Sequence, residues 1–111
     1  MKITAKIIKV DALRVGNYSQ PRFDNSGNQI TQWQAIDIHL QTFDEAGQVE
    51  DSFVATAFGP NAIHLNSQSV AINAQQPMVE LTCQVYSRAF FRKDGSVAFS
   101  TDITVKQCKA L

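Results

Sequence analysis

Apolar and polar residues alternate with a period of two through most of the chain, and β-branched and aromatic residues are dense within the alternating stretches, so the sequence predicts a mostly β protein. The first run, about Lys2 to Val15, sets Ile3, Ala5 and Ile7 on one face and then shifts phase to Ile8, Val10 and Ala12, which predicts a bulge. From Gly16 to Asn28 the pattern lapses; Pro21 and the turn-forming series Asp24-Asn25-Ser26-Gly27-Asn28 read as a long polar loop. In the second run, Ile30 to Phe43, Ile36, Ile38 and Leu40 share the face assigned to the core, while Trp33, Ala35, Asp37, His39 and Gln41 share the other. A turn at Asp44-Glu45-Ala46-Gly47 joins it as a hairpin to a third run, about Val49 to Phe58, which Gly59-Pro60 ends. Pro60 suits the first turn of a helix, so Pro60 to about Asn66 is predicted as a short helix, and the following SQSVAINAQQP is too polar and broken to assign.

The fourth run, Met78 to about Phe91, buries Val79, Leu81, Cys83 and Val85, and by the same alternation Phe91, and turns Tyr86, Arg88 and Phe90 outward. Arg92-Lys93-Asp94-Gly95 forms another hairpin turn, into a fifth run from Val97 to Lys106 with Val97, Phe99, Ile103 and Val105 in one phase. The predicted fold class is all-β: a five-stranded OB-fold barrel with a short helix between strands 3 and 4, one domain over 1–111.

Composition narrows the function classes. No apolar stretch approaches the roughly 18 residues of a membrane span, and MKITAKIIKV alternates where a signal peptide would be solidly apolar, so a cytoplasmic protein without a membrane partner is expected. Cys83 and Cys108 form no CxxC and have no histidine at ligand spacing, which predicts two free thiols and neither metal nor cofactor. His39 and His64 are isolated, and no GxSxG, HxxxH or Gly-rich phosphate loop occurs, so no enzyme is expected.

Net charge is zero, yet all ten basic residues fall in two terminal blocks: Lys2, Lys6, Lys9, Arg14 and Arg22, then Arg88, Arg92, Lys93, Lys106 and Lys109. A fold joining its two ends would gather them on one basic side; otherwise they simply solvate a surface. Tyr86, Arg88 and Phe90 stand at i, i+2 and i+4 and project from one face roughly 7 Å apart, with Arg92 and Lys93 continuing into the turn. Rings for bases to stack on and cations for phosphates are what a holder of single-stranded nucleic acid requires. The alternative is that such rings cap a sheet face covered by a partner chain or pack under a loop.

The segments FVATAFG, leading into a helix, and QVYSRAFFRKDGSVAFSTDITV resemble the bacterial single-stranded-DNA-binding protein family, most specifically over Ser52 to Val105. Phe58-Gly59 resembles that family's aromatic-glycine end of the third strand, Arg88 and Phe90 its basic and stacking positions, and Phe99-Ser100-Thr101-Asp102-Ile103 its last strand. The chain departs from the pattern where Ser52 stands in place of a stacking tryptophan. Phe43 lies near another of the family's rings, with the hairpin offset open, and no acidic tail follows Ala110-Leu111, so tail-mediated recruitment is not expected. The resemblance implies non-enzymatic binding of single-stranded DNA in replication, recombination or repair. A homodimer or homotetramer is expected because one short barrel covers few nucleotides. Tyr18 and Arg22 lie in the loop between the first two strands, a usual ligand-contact loop of OB folds, and Trp33 either stacks a base or covers the barrel end. The alternatives are an OB-fold protein-interaction module of a primosome-like replication or phage or mobile-element assembly, and RNA as the ligand.

Overall fold

The predicted alternation becomes six strands in the computed structural model, which describes all 111 residues, Met1–Leu111. They are β1 (Lys2–Val10), β2 (Arg14–Phe23), β3 (Gln29–Phe43), β4 (Val49–Phe58), β5 (Met78–Phe91) and β6 (Val97–Ala110), with helices α1 (Pro60–Ser67) and α2 (Ser69–Gln75) between β4 and β5. The strand order is β1-β5-β6-β4-β3-β2, and β3 also pairs with β1, so the pairings return to the strand they began on. All are antiparallel except β4–β6, which run parallel and meet at Thr56↔Thr104 and Ala57↔Val105.

Two features correct the five-strand expectation. The stretch read as a polar loop is largely β2, which pairs with β3 from Arg14↔Ala35 to Asn17↔Gln32 and again at Arg22↔Ile30 and Phe23↔Gln29. Most of this ladder is exposed, so no buried face imposes an apolar alternation on it, and Pro21 falls in the interruption, where no ladder hydrogen bond is required of it. The helix predicted from Pro60 therefore follows the fourth strand rather than the third. A second helix, α2, continues from it with no buried residue. Amides hold α2 in place: the Val10 backbone N–H donates to Asn73 Oδ1 (2.7 Å), Asn73 Nδ2 donates to the Val10 carbonyl (3.2 Å), and Gln76, just past α2, donates to the Ile8 carbonyl (3.1 Å). No apolar stripe announces such a helix.

The bulge predicted in the first run lies between Ile7 and Lys9. It lets one strand serve two neighbours, because Lys2 to Lys6 pair with β5 and Lys6 to Val10 pair with β3. Inside, Ile36, Ile38 and Leu40 of β3 pack with Ala5, Ile7 and Val10 of β1, Val79, Leu81 and Cys83 of β5, and Ala62 and Leu65 of α1. No polar or charged residue is buried. Both cysteines are free, and burial pushes the Cys83 and Cys108 thiols up.

Val85 and Phe91, assigned to the core by alternation, are 44% and 80% exposed. The β5–β6 ladder runs on from Val85↔Ile103 to Phe91↔Val97 beyond the buried cluster, so the inward phase continues with nothing packed beneath it. Three hairpins close in the same way: the N–H groups of Gly27, Gly47 and Gly95 donate to the carbonyls of Asp24, Asp44 and Arg92, each at 3.0 Å. Phe23, Phe43 and Phe91 stand immediately before the three turns.

Truncating Ile38 to alanine is expected to cost about 2–5 kcal/mol, whereas Val70→Ala on α2, where Val70 is 85% exposed, should stay within about 0.5 kcal/mol, measured by urea unfolding. At the end of β1, Asp11 accepts a hydrogen bond from His39 Nε2 at 2.8 Å, with Lys9 Nζ 3.6 Å away. The His39 bond above all holds the Asp11 carboxyl below its ordinary range. Its contribution to stability is therefore present above the unfolded carboxylate pKa and is lost as pH falls through the folded one. Unfolding midpoints measured down an acid series should fall less steeply for Asp11→Asn.

Candidate nucleic-acid interface

Burial of Ala55 and Ala57 turns Val54, Thr56 and Phe58 of β4 to the outer surface, and two depressions meet there. One, of about 570 Å³, is lined by Arg14 and Tyr18 of β2, Trp33 of β3, and Thr56 and Phe58. The other, of about 560 Å³, lies between β4 and the β5–β6 hairpin, lined by Thr56, Phe58, Tyr86, Arg88, Asp102 and Thr104. Thr56 and Phe58 line both, so Tyr18, Trp33, Phe58 and Tyr86 border one adjoining pair of grooves. Phe58 and Tyr86 are each about half exposed.

Local sequence fixes this geometry. Gly16 is the register partner of Trp33, and a Cβ built on Gly16 would fall within the Trp33 indole, so the missing side chain lets the ring lie across the β2 backbone. Arg22 places its guanidinium 4.6 Å from the centroid of the Tyr18 ring, a cation–π contact on the rim. Nearby, Asp37 Oδ1 accepts from Arg14 Nη2 at 2.9 Å and from Thr56 Oγ1 at 2.8 Å, tying β2, β3 and β4 together beside the groove. Arg88 Nη2 stands 3.8 Å from Asp102 Oδ2, too far for a hydrogen bond.

Of the residues singled out in the sequence, Tyr86, Arg88, Phe58, Trp33 and Tyr18 line the grooves, and Arg22 joins them through Tyr18. Phe90 belongs to the same strand face as Tyr86 and Arg88 but lies farther out on the hairpin, half exposed, with Arg92 and Lys93 beyond it at the turn. Phe43 is not brought to the grooves; it sits at the β3–β4 turn beside Asp44, Glu45, Glu50 and Asp51. The second basic block is divided along the hairpin, with Arg88, Arg92 and Lys93 on the projecting part and Lys106 and Lys109 toward the far end of β6. Thr56 and Thr104 are not among those residues, and Asp102 is among them only within the Phe99-Ser100-Thr101-Asp102-Ile103 resemblance. The outward phase of β4 signals Thr56 and the β5–β6 hairpin sets Asp102 opposite Tyr86, whereas Thr104 meets Thr56 through the β4–β6 register, which has no local signature.

A smaller cavity of about 350 Å³, lined by Ile7, His64, Leu65, Ile72, Val79 and Cys108, lies against the helices and has no Phe, Tyr or Trp and no Lys or Arg in its lining. No group of three or more His, Cys, Asp or Glu residues gathers to hold a metal ion, and no helix is long and apolar enough to cross a membrane.

No protein-family model and no curated protein matches the sequence. Among solved structures, the chain is similar to the mitochondrial single-stranded DNA binding protein Rim1 of S. cerevisiae, with a TM-score of 0.58 at 13% identity, over 100% of this chain and 94% of that one. It is also similar to the small single-stranded DNA-binding protein of Streptomyces coelicolor, with a TM-score of 0.54 at 10% identity, over 100% and 92% of the two chains. At these identities the likeness is one of fold.

Gly16→Ala should displace the Trp33 ring from β2, seen as a shift in the emission maximum of the single tryptophan relative to the unsubstituted protein, with far-UV circular dichroism retained.

Proposed function

We propose that the protein binds single-stranded DNA and catalyses no reaction. The observation that carries this reading is the placement of Phe58 in both grooves, which joins the Trp33–Tyr18 side to the Tyr86–Arg88 side in one aromatic-lined surface. Bases stack on Trp33, Phe58 and Tyr86, and the strand continues outward along the hairpin to Phe90. Arg22, Arg88, Arg92 and Lys93 meet the phosphates along the rim. Stacking on each ring contributes about 1–3 kcal/mol and is indifferent to base sequence, which suits a protein that holds exposed strands during replication, recombination or repair in the cytoplasm. The shared fold with single-stranded DNA-binding proteins supports the reading.

The reverse face of the β5–β6 hairpin favours self-association as well. There Phe91 and Phe99 are 80% and 72% exposed and Val97 is 50% exposed, on the side opposite Tyr86, Arg88 and Phe90. A second copy of the chain covering that face would give the expected homodimer or homotetramer. The protein-interaction alternative rests on this same face, and substitutions on the two sides of one hairpin separate it from DNA binding.

Titration of a labelled single-stranded oligonucleotide of mixed sequence by fluorescence anisotropy should show binding that weakens as salt rises. Phe58→Ala with Tyr86→Ala should reduce the binding free energy by about 2–6 kcal/mol. Phe91→Ser with Phe99→Ser should instead lower the molecular mass measured by light scattering. No binding below about 100 μM at low salt would reject the DNA-binding reading.

A further inference from the structure

Among the groups lining the groove between β4 and the β5–β6 hairpin, Asp102 is the one carboxylate. Tyr86 and Asp102 are register partners on adjacent strands and both line the groove, so their Cβ atoms are separated by about 4.5–5.5 Å. A base stacked on the Tyr86 ring is therefore a near neighbour of Asp102. A carboxylate only accepts hydrogen bonds, and Arg88, its ion-pair partner at 3.8 Å on the exposed surface, makes no hydrogen bond to it, so its oxygens are open to a donor. Arg88 lies two residues farther out on β5 from Tyr86 with its side chain 81% exposed, so this solvent-screened pair leaves it open to a phosphate.

Resting on the DNA-binding reading above, we infer that Asp102 gives this groove a base preference, accepting a hydrogen bond from the amino group of cytosine and other amino-bearing bases and disfavouring thymine and uracil. Cytosine presents its N4 amino group as a donor to a carboxylate. Uracil presents O4 in the same position, and its one edge donor, N3–H, is flanked by two carbonyl oxygens that repel an acceptor. The discrimination thus comes as much from an unfavourable pairing with the keto base as from a favourable one with the amino base.

The test compares labelled oligo-dC and oligo-dU of equal length at pH 8 and low salt, where the two pyrimidines differ only on that edge. The unsubstituted protein should bind oligo-dC about fivefold more tightly, the low end of what one good base contact discriminates, and Asp102→Asn should bring the ratio below about twofold. Asp51→Asn, which removes the same charge at the distant β3–β4 hairpin, should keep the preference. Equal binding of the two oligomers by the unsubstituted protein, a preference for oligo-dU, or a ratio unaltered in Asp102→Asn would each overturn the inference while leaving DNA binding intact. Failure to bind either oligomer would reject the DNA-binding reading and this inference with it.

Discussion

Burial of Ile36, Ile38 and Leu40 along one face of β3 is the constraint on which the other elements depend, because β3 pairs with three strands at once. A slip of one residue would turn all three outward and drive Asp37 and His39 into a core that holds no polar group. Desolvating an unpaired carboxylate costs several kcal/mol, so the register is strongly determined. Once it is set, Trp33 faces Gly16, Asp37 faces Thr56 across β4, and Phe58 stands opposite Ala35. The outer grooves are therefore a consequence of packing on the inner side of the same strand.

Where a strand is buried on one side, the sequence declares it. Val79, Leu81 and Cys83 on β5 and the phase shift around Ile8 on β1 were legible because burial of alternate residues leaves a period-two pattern and a bulge breaks it. Where burial is absent, the pattern carries nothing. Exposed β2 reads as a loop, and α2, tied down by Asn73 and Gln76, lacks an apolar stripe. Val85 and Phe91 fail in the opposite sense: their alternation is sound and assigns the correct face, but alternation does not encode whether a second layer covers that face.

The candidate site divides along the same line. Tyr86 and Arg88 are readable from one strand, since outward phase and residue type suffice. Their proximity to Phe58 depends on the β4–β6 contact, two residue pairs joined across the helical segment, β5 and its turn. Nothing local in either strand announces a parallel pairing of that length. Phe43 shows the converse, a ring of suitable type carried by its own hairpin turn into acidic surroundings away from the grooves.

The β5–β6 hairpin projects beyond the buried cluster. Its outer part has one face of Tyr86, Arg88 and Phe90 and a reverse face of Phe91, Val97 and Phe99, and neither is covered. A two-stranded ladder alone is at best marginally stable in water, so this hairpin draws its order from its base, where Leu81 and Cys83 are anchored in the core, rather than from its tip. A charge-neutral protein can still present cations to a polyanion if they are carried on such an arm, because at physiological salt interactions beyond about 8 Å are screened. The acidic residues of the β3–β4 turn then matter less to a strand lying along the hairpin than Arg88, Arg92 and Lys93 within reach of its phosphates. Net charge is consequently a poor guide to what this surface attracts, and the placement of individual charges on individual hairpins is a better one.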